Sequence, residues 1–311
     1  MKLSLSRVAS LMVIVSLLYI IGGCASVKNI PKPKIVSIRN GDITVNLAVP
    51  DSSFNDEALG TRFLKAGWIT SLIYHSKDSD VELFNTDPFM PDYAAFGCAQ
   101  EFTSAFPLSM DGKYVVALRI GVGVVRYLPN RAMLADIVEH FPWKTTFKPT
   151  DDGFVIVNTQ STPDGLDLNG YGYEFQQEIV IKRGSSVIEY RQQLKNRGSK
   201  TIDVNCYLHP FFRYPPDRDF AVGNGEFSSI AGWEKGDVLL PSVDFDAKAQ
   251  GVEIKLNSTL KCGLSTDRLL SKVVIWRQLN GGEAVEPFVH LNLNPGESDK
   301  WLWNISVMQS K

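Results

Sequence analysis

A strict alternation of apolar and polar side chains runs from Ile202 to His209. The apolar positions are Ile202, Val204, Cys206 and Leu208, and the polar positions are Asp203, Asn205, Tyr207 and His209. A period of two is that of a β-strand with one buried face. The pattern ends at Pro210, which has no backbone N–H to donate to a neighbouring strand. The sequence therefore predicts a half-buried strand whose polar face ends in a histidine.

Strand patterns separated by turn residues recur about every ten residues, which is typical of an all-β sandwich. The segment Tyr173–Tyr214 is expected to form a three-stranded meander, and Tyr114–Val125 one long strand with interior glycines. Arg131–His140 is the best candidate for a short helix. No composition shift or linker interrupts residues 35–308, so we expect one large domain over residues 35–311 with large antiparallel sheets and few short helices.

The N-terminus has the pattern of a secretory signal. Basic residues Lys2 and Arg7 precede the apolar run Val8–Ile21, and Gly22-Gly23-Cys24 follows. This end resembles the lipobox of bacterial lipoproteins, which implies removal of residues 1–23 and lipidation of Cys24. Residues 24–34 would then be a polar tether. An uncleaved anchor helix, or a plain signal with a chance cysteine, is the alternative.

The predicted location is the bacterial cell envelope. Ala25 follows the lipidation site, as in lipoproteins sorted to the outer membrane, so we expect a lipid-anchored protein that faces the periplasm. The net charge of -2 gives no basic surface for nucleic acid. The other cysteines, Cys98, Cys206 and Cys262, form no CxxC pair, which argues against a zinc site or a disulfide framework. A single disulfide remains open, although Cys206 is expected to be a core residue.

Two residues could perform acid–base chemistry. His209 ends one polar strand face, and Glu286 lies on the polar side of a second predicted strand, just before Pro287. A carboxylate and an imidazole can serve as a general base and a general acid. Nothing in the spacing shows that they approach each other, and a strand histidine is often structural.

Several short motifs resemble the galactose mutarotase-like (aldose 1-epimerase-like) superfamily when they are taken in order along the chain. They are Gly60-Thr61-Arg62-Phe63 with Gly67, Gln100-Glu101-Phe102, Arg119-Ile120-Gly121-Val122-Gly123-Val124, His209-Pro210-Phe211-Phe212, Glu286-Pro287-Phe288 and Leu293-Asn294-Pro295-Gly296-Glu297. The resemblance spans roughly residues 40–308 and implies a β-supersandwich that binds sugar on a concave sheet face.

The resemblance also implies a mechanism without a metal ion or organic cofactor. Glu286 would remove the proton of the anomeric hydroxyl while His209 protonates the ring oxygen, so that the sugar opens and recloses as the other anomer.

Five further residues are candidates for sugar binding. Arg62 and Arg213 are expected to donate hydrogen bonds to hydroxyls or to a carboxylate. Glu101 belongs to a matching motif, and Trp143 or Trp276 could stack on a sugar. The expected partner is a monosaccharide or hexuronate, or an oligosaccharide. The competing interpretations are a surface charge for each arginine and a core position for each tryptophan.

The chain departs from the pattern of well-characterised mutarotases. Their LHGG-type histidine motif and their Asn-Arg-Ile signature do not occur in the sequence. The chain therefore resembles a divergent branch. Two alternatives to an isomerase remain: a non-catalytic carbohydrate-binding lipoprotein, and a structural envelope lipoprotein.

Overall fold

The computed structural model describes residues 34–50, 61–77, 79–86, 96–130, 135–213, 219–223, 228–229, 249–277 and 283–309. Every regular element within these ranges is a β-strand, as the alternating patterns predicted. The predicted signal peptide, the lipidation site Cys24 and most of the tether lie outside the described residues. Within those residues, no helix has the length and hydrophobicity needed to cross a bilayer.

The strands in chain order are β1 (Ile35–Asn40), β2 (Ile43–Ala48), β3 (Ile69–His75), β4 (Asp80–Glu82), β5 (Cys98–Phe102), β6 (Ala105–Asp111), β7 (Tyr114–Arg119), β8 (Gly123–Tyr127), β9 (Asp136–His140), β10 (Lys144–Thr150), β11 (Gly153–Ser161), β12 (Tyr173–Lys182), β13 (Val187–Asn196), β14 (Ile202–Pro210), β15 (Asp219–Val222), β16 (Ser228–Ser229), β17 (Gly251–Lys255), β18 (Leu260–Thr266), β19 (Lys272–Arg277), β20 (Glu283–Leu293) and β21 (Ser298–Gln309).

The first sheet has eight strands and carries the predicted acid–base residues. Its order is β1-β2-β3-β5-β14-β20-β19, and β4 pairs with β3. Strand β14 is central: its Tyr207 lies opposite Phe288 of β20 and opposite Glu101 of β5. The antiparallel register therefore brings distant parts of the sequence side by side on one sheet face.

The predicted meander is correct for its first two strands and wrong for the third. Strands β12 and β13 form the expected hairpin. Strand β14 does not continue that sheet, because it pairs with β5 and β20 instead. Asn196 helps to fix the crossing, since its Nδ2 atom donates to the carbonyl oxygens of Lys200 and Leu293 at 2.8 and 2.9 Å. Strand alternation specifies a strand but not its partner, so sequence spacing could not predict this crossover.

The second sheet has nine strands in the order β10-β11-β12-β13-β21-β18-β17-β15-β16. Its inner face packs on the first sheet to form the core. Phe102 of β5 meets Phe175 of β12 edge to face, with ring centroids 5.6 Å apart, and Trp301 of β21 joins this cluster. A buried amide chain also crosses between the sheets, since Gln177 Nε2 donates to Gln100 Oε1 at 3.1 Å.

A third sheet, β6-β7-β8-β9, corrects two predictions. The segment Tyr114–Val125 is not one strand, because it turns between Arg119 and Gly123 and pairs with itself as β7 and β8. Gly121 takes a φ of 82° in that turn, a conformation that glycine tolerates. The helix predicted for Arg131–His140 is also wrong: 136–140 form β9, whose Ile137 lies opposite Val125. Residues 131–134 lie outside the described part.

Candidate active site

The polar face of β14 is accessible only in its first half, whereas the sequence predicted a strand that is half-buried along its length. Asp203 is exposed and Asn205 is half-buried, whereas Tyr207 and His209 are buried. The face therefore becomes less accessible toward its C-terminal end, where His209 is only 3% exposed. Such a gradient places the histidine where an ion pair or a hydrogen bond is strengthened by the low dielectric.

His209 and Glu286 are in direct contact. Nε2 of His209 lies 2.9 Å from Oε1 of Glu286, and their side chains are 3% and 7% exposed. The contact follows from the register: Tyr207 lies opposite Phe288, so the next residues on the same face are His209 and Glu286. A buried carboxylate is costly unless it is paired or hydrogen-bonded, and the imidazole supplies that partner.

Aromatic rings fix the orientation of the imidazole. Phe211 stacks on His209 with ring centroids 4.1 Å apart and an interplanar angle of 19°, and Phe63 meets the ring edge to face at 5.3 Å. These contacts exclude water and leave the imidazole little rotational freedom. Sequence analysis did not propose either phenylalanine as a site residue, although both lie within the quoted motifs.

A second polar cluster adjoins this pair. Nε of Arg62 lies 2.6 Å from Oε2 of Glu101, and a second guanidinium nitrogen of Arg62 donates to the Tyr207 hydroxyl at 2.8 Å. The Tyr207 hydroxyl in turn donates to Glu101. Arg62 thus uses two sides of its planar guanidinium at once, which a lysine cannot do.

The ionisation of this cluster follows from burial and charge. Burial lowers the pKa of Arg62, but the negative charges of Glu101 and Glu286 and the hydrogen bond to Tyr207 outweigh burial and raise the pKa above its ordinary value. Burial raises the pKa of Tyr207, and Glu101 raises it further. Arg62 is therefore a permanent cation and Tyr207 a neutral donor at physiological pH.

Arg119 is a further buried cation that the prediction of site residues missed. One guanidinium nitrogen donates to the carbonyl oxygen of Thr61 at 2.8 Å, which holds the segment that carries Arg62. Burial lowers the pKa of Arg119, while Glu101 opposes that effect. The sequence did contain a signal that could have identified Arg119, because this residue begins the Arg119-Ile120-Gly121 motif.

Three sugar-binding candidates remain: Trp143, Arg213 and Trp276. Trp143 packs on the core through an edge-to-face contact with Phe175 at 6.1 Å. Arg213 is exposed, and its backbone nitrogen donates to the Leu83 carbonyl oxygen. Trp276 lies on β19 opposite Ala284 of β20, and its side chain lies outside the described part.

The cysteines and acidic residues of the described part form no inorganic site. Cys98, Cys206 and Cys262 are buried, and no disulfide joins them. Within the described ranges, no group of three histidine, cysteine, aspartate or glutamate residues could hold a metal ion.

Comparison with known proteins identifies the fold. No protein-family model matches the sequence, and no curated protein matches it. Among solved structures, the Slr1438 protein from Synechocystis sp. PCC 6803 is 13% identical with a TM-score of 0.58, covering 90% of this chain and 97% of that one. A galactose mutarotase-like protein from Lactobacillus casei is 14% identical with a TM-score of 0.56, covering 88% and 100%.

A GalM/aldose epimerase homologue from C. elegans is also similar, at 10% identity and a TM-score of 0.54, covering 89% of this chain and 99% of that one. The chain therefore has the galactose mutarotase-like all-β fold, as its ordered motifs predicted. At these identities the similarity establishes architecture only.

Proposed function

We propose that this protein binds a sugar at the His209–Glu286 pair and interconverts its anomers by acid–base ring opening. The observation that carries the proposal is the 2.9 Å contact between the two side chains on one sheet face. The fold supports it, because the similar structures include proteins named galactose mutarotase-like and aldose epimerase homologue.

The pair can supply both halves of the reaction. When one proton resides on His209, Glu286 is a carboxylate base and His209 an imidazolium acid. Glu286 takes the proton from the anomeric hydroxyl, and His209 gives its proton to the ring oxygen as the bond from that oxygen to C1 breaks. Rotation about the C1–C2 bond of the open aldehyde and reversal of both proton transfers give the other anomer.

The sugar would have to replace the direct contact between the two residues. The hemiacetal has a hydroxyl and a ring oxygen on the same carbon, so it can bridge a base and an acid that lie close together. The Arg62 side chain is 15% exposed, compared with 9% for Glu101, 7% for Glu286 and 3% for His209. It is our candidate for the first contact with sugar hydroxyls or a hexuronate carboxylate.

The test is mutarotation of α-glucose, α-galactose and glucuronate followed by NMR. We expect a saturable acceleration, and a loss of about 100-fold or more in Glu286→Gln, since a positioned acid or base contributes that much. Asp203→Asn is the matched control, because Asp203 also pairs with a histidine across β14 and β20 but is exposed. Activity that Glu286→Gln leaves unchanged would reject the proposed base.

A non-catalytic sugar-binding protein is the second candidate. This candidate is favoured by the direct contact between His209 and Glu286 and by the burial of both side chains. The absence of the LHGG-type and Asn-Arg-Ile motifs from the sequence also favours it. In that case the same sugars would raise the melting temperature without accelerating mutarotation.

We further propose that the mature chain begins at Cys24 and is anchored by lipid to the outer membrane, facing the periplasm. The support is the sequence Ile21-Gly22-Gly23-Cys24-Ala25 after an apolar segment. Radiolabelled palmitate should be incorporated into the protein and lost in Cys24→Ser, and membrane fractionation should recover the labelled protein with outer membranes. Recovery with inner membranes would contradict the role given to Ala25.

A further inference from the structure

A hydroxyl, an imidazole and a carboxylate form a hydrogen-bonded row on the first sheet, away from the His209 pair. Oγ1 of Thr44 on β2 lies 2.7 Å from Nε2 of His75 on β3. Nδ1 of the same imidazole lies 2.7 Å from Oδ1 of Asp80 on β4. Three adjacent strands therefore hold the three groups in line.

The register of these strands fixes the arrangement. His75 lies directly opposite Asp80 across the tight β3–β4 turn, and Thr44 lies opposite Ile73 on the other side of β3. Thr44 is half-buried and the His75 side chain is 15% exposed, so the hydroxyl faces a partly desolvated imidazole. Asp80 is more exposed, at 65%.

The partners determine where the protons reside. An ionised carboxylate only accepts hydrogen bonds, so Nδ1 of His75 carries the proton that faces Asp80. In the neutral imidazole, Nε2 is then an acceptor, and the Thr44 hydroxyl donates to it. This is the tautomer in which an imidazole can accept the proton of a nucleophilic hydroxyl.

A cationic residue occupies the strand position opposite Thr44. Arg39 of β1 is the cross-strand partner of Thr44 and is exposed. Side chains at such paired positions begin only about 5 Å apart, within reach of an arginine. Its guanidinium can approach a negative charge that develops on an oxygen next to Oγ1 of Thr44.

A second histidine–aspartate pair, His290–Asp203, provides a comparison for the Thr44–His75–Asp80 row. Nε2 of His290 lies 2.7 Å from Oδ1 of Asp203. Among the described residues, no hydroxyl binds the second ring nitrogen of His290, whereas His75 has both partners. The His75 row therefore has the complete order of nucleophile, base and orienting group, which the His290 pair lacks among the described residues.

We propose that Thr44, His75 and Asp80 form a second reactive site, which transfers the acyl group of small carboxylic esters to water. Oγ1 of Thr44 attacks the ester carbonyl while its proton passes to Nε2 of His75. The tetrahedral adduct collapses, the bond to the alkoxy group breaks, and His75 gives the proton to the leaving oxygen. Water then attacks the acyl-threonine by the same route, releasing the acid and restoring Thr44. Asp80 orients the imidazole throughout.

The test uses p-nitrophenyl acetate with the full-length protein. We expect release of p-nitrophenol and, when the reaction is quenched with acid during turnover, a single acetyl group that peptide mapping assigns to Thr44. Thr44→Val and His75→Gln should lower the rate by about 100-fold, as expected for loss of a nucleophile or a positioned base. Thr44→Ser, which keeps the hydroxyl, should retain it. His290→Gln is the control for a histidine elsewhere on the same sheet.

Thermal unfolding of Thr44→Val will show whether the fold is intact, since valine has nearly the same shape and suits a strand. Acetylation that maps to lysine side chains, or a rate that Thr44→Val leaves unchanged, would overturn the proposal. The exposed strand residue Thr146 provides an internal comparison, and equal labelling of Thr44 and Thr146 would also overturn it.

Discussion

Nε2 of His209 lies 2.9 Å from Oε1 of Glu286, and neither side chain is more than 7% exposed. The contact joins the polar faces of two neighbouring strands at the point where both become buried. On the same two strands, His290 and Asp203 make a similar contact at 2.7 Å but are 49% and 64% exposed. Two pairs of the same chemical type therefore occur in different dielectric environments.

This difference predicts unequal effects on stability. Removing one partner of a buried pair leaves an uncompensated polar group, which typically costs about 3–5 kcal/mol. We expect Glu286→Ala to lower the free energy of unfolding by that amount and Asp203→Ala to lower it by less than about 1 kcal/mol. Urea denaturation of the two variants gives the comparison. Equal losses would show that the His209–Glu286 contact is not formed in solution.

The fork made by Arg62 gives a second prediction. Its guanidinium contacts Glu101 at 2.6 Å and Tyr207 at 2.8 Å, and lysine could keep only one of these contacts. We expect Arg62→Lys to cost about 1.5–3 kcal/mol, the usual range for hydrogen bonds to buried charged groups. Arg191→Lys is the control, because Arg191 also contacts two carboxylates but its side chain is 52% exposed. A smaller loss in Arg62→Lys than in Arg191→Lys would contradict this account of the cluster.

The sequence predicted well where strands lie in the chain, but it did not predict which strands pair with each other. The alternation in Ile202–His209 correctly identified a strand with His209 on its polar face, because one strand face is buried whatever its neighbour. The same alternation could not show that β14 leaves the β12–β13 hairpin for the other sheet. Long-range pairing depends on complementary packing of whole faces, and that information is spread over many residues.

The same distinction holds for the candidate active site: single residues could be predicted, but their proximity could not. His209 and Glu286 could be selected individually, because each ends a polar strand face, but only the register between β14 and β20 brings them together. The role of Arg119 could not be found from spacing, since its contact is to the backbone oxygen of Thr61. Trp143 was chosen by residue type alone, and it packs on Phe175 in the core.

A glycine beside the site provides a third prediction. Gly97 has a φ of 67°, and a Cβ atom there would lie 2.1 Å from the carbonyl oxygen of Ile69. Gly112 has a similar φ of 59°, but nothing lies within 4 Å of its Cβ position. Both alanine variants incur about 1–2 kcal/mol of backbone strain, and Gly97→Ala adds an overpacking cost of about 1–3 kcal/mol.

The additional overpacking in Gly97→Ala should also alter the candidate active site around His209. The backbone nitrogen of Phe211 donates to the Gly97 carbonyl oxygen at 2.8 Å, and the Phe211 ring stacks on His209. Gly97→Ala should therefore shift the ring proton resonances of His209 in NMR spectra, whereas Gly112→Ala should leave them unchanged. Identical spectra for both variants would mean that Gly97 does not position Phe211.

The buried thiols predict a loss of stability in alkaline solution. Burial raises the pKa of Cys206, and burial together with the charge of Cys262 raises the pKa of Cys98. Both thiols stay protonated in the folded protein at a pH where they ionise in the unfolded chain. Their contribution to stability is therefore complete below the unfolded thiol pKa of about 8.5 and declines as the pH rises above it.

Each such thiol should add about 1.4 kcal/mol per pH unit to the decline, until the pH reaches its folded pKa. Buried tyrosines with raised pKa values, such as Tyr173, add to the loss at higher pH. Urea denaturation between pH 8 and pH 10 measures the slope of the free energy of unfolding against pH. Cys206→Ala should reduce the slope by the contribution of one thiol, whatever its effect on stability at neutral pH. A slope that Cys206→Ala leaves unchanged would mean that this thiol ionises as readily in the folded protein as in the unfolded chain.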